Sequence, residues 1–309
     1  MNKNRVLFIK LVISISVILC ENDSYEDYSS EDNSNGTYSK ENNSSGSTST
    51  TKLFSCNSHP TVDPIYVVAL TNFWGYHMCS GTMISRRLIL TAANCYDKER
   101  NIYACDAYTR DQYIKNNGLL SFWCPTTRVY KVYNHPRFNK KTLMHNIAIM
   151  KLIGPLYSTN LLYVNLPSYH PQDIFDFCPQ VTLMGWGRKK RSNQPNRKLS
   201  CIDLSTIPLQ DCQNHQLVSI YSTCTKATIV EDSCLGDLGS PLMCGDTQYG
   251  ILSHIMDCKG RWPGVYTRVD EYLNFIEDRK LRSAGSRVLC AKFLVVLVLF
   301  TCRINFFHF

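Results

Sequence analysis

No C-x-x-C pair occurs anywhere in the chain, although it holds 15 cysteines. That absence removes the commonest zinc frameworks and the dithiol redox motif. The 8 histidines likewise show no ligand spacing, so the sequence assigns no metal and no cofactor. An internal repeat is missing too. So is a long uninterrupted apolar run: Lys10 cuts the first candidate, and Lys292 and Arg303 flank the second. Charge of one sign is not concentrated either. The net charge is +8, a modest excess spread along the chain that does not mark a nucleic-acid partner. Charged residues make up only 19% and hydrophobic residues 44%, the balance of a globular chain of one large or two mid-sized domains.

Many cysteines without metal spacing point to an oxidised, secreted, disulfide-bonded protein. Setting aside Cys20, Cys290 and Cys302 leaves 12 cysteines between Cys56 and Cys258. An even number is what full pairing requires.

Both ends fit that compartment. Residues 1–20 have a basic start at Lys3 and Arg5 and then an apolar stretch to Cys20, the pattern of a secretory signal peptide. Residues 21–55 are rich in Ser, Asn and acid and almost free of apolar residues. Such a segment cannot bury enough surface to offset ordering entropy and is expected to be a disordered stalk. Within it Asn22, Asn35, Asn42 and Asn43 each begin an N-x-[ST] triplet, so they are candidate glycan acceptors. Residues 283–309 form a hydrophobic tail. Its run 288–302 is short for a spanning helix, and Ser283, Ala284 and Gly285 precede it as at a lipid-anchor site. A membrane span, a cleaved anchor signal and a greasy tail packed on the body all fit. Membrane attachment through 288–309 is the expectation.

Between the ends, the body 56–282 reads as strand. IYVVAL, TMISRRLILTA, TRVYKVYNH, IAIMKLI, QVTLMGWG, YGILSHI and GVYTRV recur with turns between them, which argues an all-β barrel or sandwich. Only DEYLNFIEDRKLR has helical periodicity, with Tyr272, Phe275 and Ile276 on its apolar stripe.

Five segments of this body then agree in order and spacing with one family. TMISRRLILTAANC resembles the segment that carries the histidine of T-A-A-H-C in chymotrypsin-like (trypsin-family) serine proteases. NIAIMKL resembles the segment around that family's catalytic aspartate, and DSCLGDLGSPLMC resembles D-S-C-x-G-D-S-G-G-P-L around its nucleophile. GWG at Gly185–Gly187 and PGVYTRV at Pro263–Val269 match as they stand. The resemblance implies two six-stranded antiparallel β-barrels with a C-terminal helix.

It also exposes departures. Asn94 stands at the histidine position, Asn146 at the aspartate position and Leu238 at the serine position. A carboxamide is not a base near neutral pH, and a leucine has no lone pair to attack with, so no catalytic residue is assigned. Replacing both polar members by Asn avoids leaving a buried uncompensated charge. The family's activating Ile-Val-Gly-Gly start is absent from the stretch Ser55–Val67, so Asp237, at the position that pairs with the freed amine, must find another donor or remain mobile.

For binding, the resemblance implies backbone N–H groups at Gly236 and Leu238 where the oxyanion hole lies, a pocket floor at Asp232, a pocket glycine at Gly264 and a wall at Ser253, His254 and Ile255. Ile255 replaces a glycine and is expected to narrow the entrance. The implied disulfides are Cys79–Cys95, Cys178–Cys244, Cys212–Cys224, Cys234–Cys258 and, by analogy with trypsin, Cys56–Cys201, which leaves Cys105 and Cys124 to clip one loop. Residues 188–198, RKKRSNQPNRK, form a solvated basic loop that also fits a convertase cut site or an anionic glycan. The expected function is a non-catalytic, extracellular serine protease homologue binding a protease, inhibitor or receptor as decoy, cofactor or scaffold. A peptidase using non-standard residues, with Ser240 and His145 as the nearest substitutes, and a membrane-tethered adhesion protein are the alternatives.

Overall fold

Fifteen strands can be followed in the computed structural model, which describes residues 54–56, 64–96, 101–106, 126–156, 162–189, 199–212, 218–226, 233–234, 237–254 and 263–283. The apolar runs legible in the sequence become the strands. Six of them close the first barrel: β2 (Val67–Thr71), β3 (His77–Ser85), β4 (Leu88–Thr91), β7 (Ala148–Leu152), β6 (Thr127–Asn134) and β5 (Tyr103–Asp106), each antiparallel to the next. The second barrel runs β10 (Ser200–Ile207), β11 (Ser222–Thr225), β15 (Gly264–Arg268), β14 (Thr247–His254), β13 (Pro241–Cys244) and β8 (Gln180–Gly185), and closes through the β8–β10 pair. Each of these strands has a partner strand on both sides. A two-stranded ribbon, β9 (Arg188–Lys189) with β12 (Ser233–Cys234), stands beside it. The expected pair of barrels is therefore present.

β1 (Phe54–Ser55) adds to β10 in register with Cys201 and Ser200. The sheet thus takes in the last two residues of the segment 21–55, the expected disordered stalk. The periodic segment after Val269 forms a 3-10 turn at Asp270–Tyr272 and then a helix over 273–283. Tyr272 and Ile276 are buried and Phe275 packs beside them. Ser49–Glu277 holds both barrels; in the second unit, described only over 278–283, Arg282 Nε donates to Asp278 Oδ1 at 2.8 Å.

One core runs from the first barrel into the second, with Val68, Leu70, Ile89, Leu90, Ile149 and Met150 meeting Trp186, Met243 and Ile251. At roughly 25 cal/mol per Å² of apolar surface removed from water, such side chains contribute about 1.5–3 kcal/mol each. The bonds Cys56–Cys201, Cys79–Cys95, Cys178–Cys244 and Cys212–Cys224 are formed. Cys105 is disulfide-bonded as well, while Cys124, Cys258 and the Cys234 side chain lie outside the described residues. The segments 1–53 and 284–309, with all four N-x-[ST] asparagines, lie outside them too. Among the described residues, no helix is long and apolar enough to cross a membrane.

Candidate functional site

Three loop segments converge where the barrels meet. β4 ends at Thr91, and a single 3-10 turn, Ala93–Cys95, carries Asn94. Asn146 sits just before β7, fully buried. Leu238 lies in the turn that leads into β13, half-buried against the same core as Cys95.

Hydrogen bonds join the first two to the second barrel. The Asn94 backbone N–H donates to Asn146 Oδ1 at 2.9 Å. That donor fixes the amide orientation, because a backbone N–H can meet only an oxygen. Asn146 Nδ2 then donates to Ser253 Oγ at 2.8 Å and to the Ser253 carbonyl at 3.3 Å. Asn94 Nδ2 donates to the same carbonyl at 3.2 Å, while Asn94 Oδ1 is buried and accepts no hydrogen bond. Asn94 and Asn146 thus form a network of neutral amides closed on Ser253, which is itself buried on β14.

The Leu238 backbone is held as firmly. Its carbonyl accepts from Ser80 N–H at 2.9 Å, tying the turn to the first barrel. Gly239 follows with φ at +83°, and a Cβ there would collide with the Ser80 carbonyl and Thr91 Oγ1. Only glycine fits that approach.

Beneath the turn, Asp237 is buried and has found its donor. His77 Nε2 lies 3.0 Å from Asp237 Oδ2, and both side chains are shielded from solvent. The same oxygen accepts from Trp186 N–H at 2.9 Å, Ser80 Oγ at 3.1 Å and Gly187 N–H at 3.3 Å. Burial alone would raise this carboxyl's pKa. The His77 charge and these hydrogen bonds outweigh burial and hold it at about 2. Sequence reasoning showed that Asp237 needed a partner but did not find His77. A lone histidine at a strand start carries no motif, and 160 residues separate the two in the chain.

Ser240 is fully buried, and its Oγ accepts from Asp237 N–H at 3.0 Å. His145 adopts φ +54°, which turns it away from Asn146's partners. Its Nδ1 meets Tyr272 OH at 2.9 Å and its ring stacks on His135, with centroids 5.0 Å apart, and on Tyr221 at 4.8 Å. Burial, then His145 and Arg137, lower the His135 pKa to about 4; burial, then Arg137, lower that of His145.

Of the expected pocket, Ser253 and Gly264 are described, while Asp232, Gly236 and Ile255 lie outside the described residues, as do 190–198. A Cβ on Gly264 would press within 2.7 Å of Tyr266 OH and 2.9 Å of Thr225 Oγ1. His254, beside Ser253, has its pKa lowered by burial. Among the described residues no group of metal-ligating side chains assembles. Chemically, the described site offers amide donors, backbone groups and an apolar leucine.

Residues 56–276 match the family model described as Trypsin. Trypsin II-P29 of Gallus gallus is 27% identical over 237 residues, covering 73% of this chain and 86% of that protein. Serine protease 1 of Rattus norvegicus is 28% identical over 231 residues, covering 73% and 87%. Melanization protease 1 of Drosophila melanogaster is 32% identical over 238 residues, covering 67% and 59%.

Proposed function

This chain belongs to the trypsin family, and on that premise we propose that it is a catalytically inactive, extracellular member that works by binding another protein. The observation that carries the reading is the amide network of Asn94, Asn146 and Ser253 beside Leu238. Acyl transfer on this scaffold needs an oxygen nucleophile, a base to take its proton and a carboxylate to orient the base. None of those three groups stands at these positions. Losing such a unit costs roughly a million-fold in turnover.

Two further observations support it. Asp237, which in active relatives receives the freed amine, is already saturated on Oδ2 by His77, Ser80 and two backbone N–H groups. The nearest substitutes are also committed elsewhere: Ser240 to the Asp237 N–H and His145 to Tyr272.

The function is then that of a decoy, cofactor or scaffold, engaging a protease, inhibitor or receptor through the face that active relatives turn to substrate. The disulfides fit an oxidising, extracellular setting. A leader at 1–20, glycans on the stalk and a membrane attachment at 288–309 complete the same proposal. Purified, secreted protein offered peptide substrates ending in Lys, Arg, Leu or Phe is expected to give no turnover, before or after limited proteolysis. Turnover that disappears on Ser240→Ala or His145→Ala would instead identify a substitute nucleophile or base.

A further inference from the structure

We propose that the outer face of β6 and the turn after it form a binding surface for a sulfated polysaccharide. The case begins with an absence: between Asp111 and Asp173 the chain contains no acid, yet it carries Lys115, Arg128, Lys131, Arg137, Lys140, Lys141 and Lys151. The structure then shows where the described cations go.

β6 pairs with β7 through Val129↔Leu152 and then Lys131↔Lys151, so Tyr130 is an extra residue and the strand is bulged there. A bulge inverts the alternation that follows it. Arg128, Tyr130 and Lys131 face solvent around it, while Val129, Val132 and Tyr133 pack on the core. Three outward positions therefore run cation, phenol, cation. Arg128 and Lys131 are exposed, and Tyr130 is 68% exposed. Lys131 Nζ lies 5.2 Å from the centre of the Tyr133 ring. At about 3.3 Å per residue, Arg128 and Lys131 stand roughly 10 Å apart along the strand.

The turn continues the line. Arg137, Lys140 and Lys141 are all exposed, on backbone braced by Asn139 Oδ1, which accepts from Lys141 N–H at 2.9 Å and Thr142 N–H at 3.3 Å. Among the described residues of the two strands flanking β6, the one acid is Asp106, and it is buried. Lys131 stands in register with Lys151 of β7.

A sulfated glycan fits this surface on three counts. Guanidinium and ammonium groups in line match repeated sulfates. A phenol ring offers a flat apolar face with a polar rim, which suits the face of a sugar ring. A disulfide-bonded domain of this kind meets such polymers in the extracellular space.

The full chain from a secretory host should bind immobilised heparin, with log affinity falling linearly against log salt. Arg128→Ser with Lys131→Ser should lower affinity at least tenfold near 0.15 M salt and reduce the salt slope by roughly 1–2. Lys140→Ser with Lys141→Ser should act in the same direction, and stands in for the first pair if that pair does not fold. Changing Lys189 and Lys190 to Ser in the basic segment 188–198 should leave the slope largely intact. The proposal fails if the full chain does not bind heparin, if both folded pairs bind as the parent does, if only the 189–190 change abolishes binding, or if single-stranded nucleic acid is held more tightly than heparin at equal salt.

Discussion

His77 Nε2 and Asp237 Oδ2 lie 3.0 Å apart in the interior, one from the start of β3 and the other from the turn that carries Leu238. The pair joins the barrels at the base of the site. Removing one member of a buried pair leaves the other uncompensated, at a cost of about 3–5 kcal/mol. His77→Ala should therefore lower the thermal midpoint by about 6–20 °C. The double variant His77→Ala/Asp237→Asn should recover part of that loss. Differential scanning calorimetry of the three proteins checks the coupling; equal losses for the single and double variants would deny it.

Asn146 is required as an amide. Its Nδ2 faces the Ser253 carbonyl at 3.3 Å and the Ser253 hydroxyl at 2.8 Å. Asn146→Asp would set a buried carboxylate against that carbonyl oxygen and costs about 1–3 kcal/mol at pH 7. Urea unfolding should show the midpoint falling with the slope unchanged. A midpoint that stays put or rises would mean that the amide network is not set as described.

Acid should loosen the molecule in two stages. His135 and His145 have pKa values lowered on folding, His135 to about 4 from 6.5. The native state therefore binds fewer protons than the unfolded chain. Stability is full above about pH 6.5 and declines as pH falls towards 4. The groups facing the pair are Arg137, Tyr221 and Tyr272, with the Phe275 ring beside them. Asp237 acts lower down: its pKa is depressed from 3.8 to about 2. Its contribution, about 2 kcal/mol, is present above pH 4 and is lost as pH falls through 2. Thermal midpoints from pH 7.5 to 2.5 should show both declines, with His135→Phe flattening only the upper one. A midpoint unchanged from pH 7 to 4.5 would contradict the histidine assignment.

The barrels were legible because each strand's apolar run is bounded by turn residues, and because TMISRRLILTAANC, NIAIMKL and DSCLGDLGSPLMC keep the family's order. Leu238, Asn94 and Asn146 could be placed for the same reason. Other features depend on three-dimensional detail that local sequence does not encode. The β6 bulge is a register event between Val129 and Lys131, and nothing in TRVYKVYNH announces where an extra residue falls. His145 is a chain neighbour of Asn146, yet its φ of +54° sends it into an aromatic cluster with partners from beyond residue 220. His77 became meaningful only once the fold brought Asp237 to it.

The most direct test of the central claim is the intact mass of the secreted protein after prolonged incubation with a fluorophosphonate, which phosphonylates an activated serine. A mass unchanged from the untreated protein, with an active trypsin control fully labelled in the same buffer, is the predicted result. A stoichiometric mass gain that maps to a serine of this domain would contradict the account.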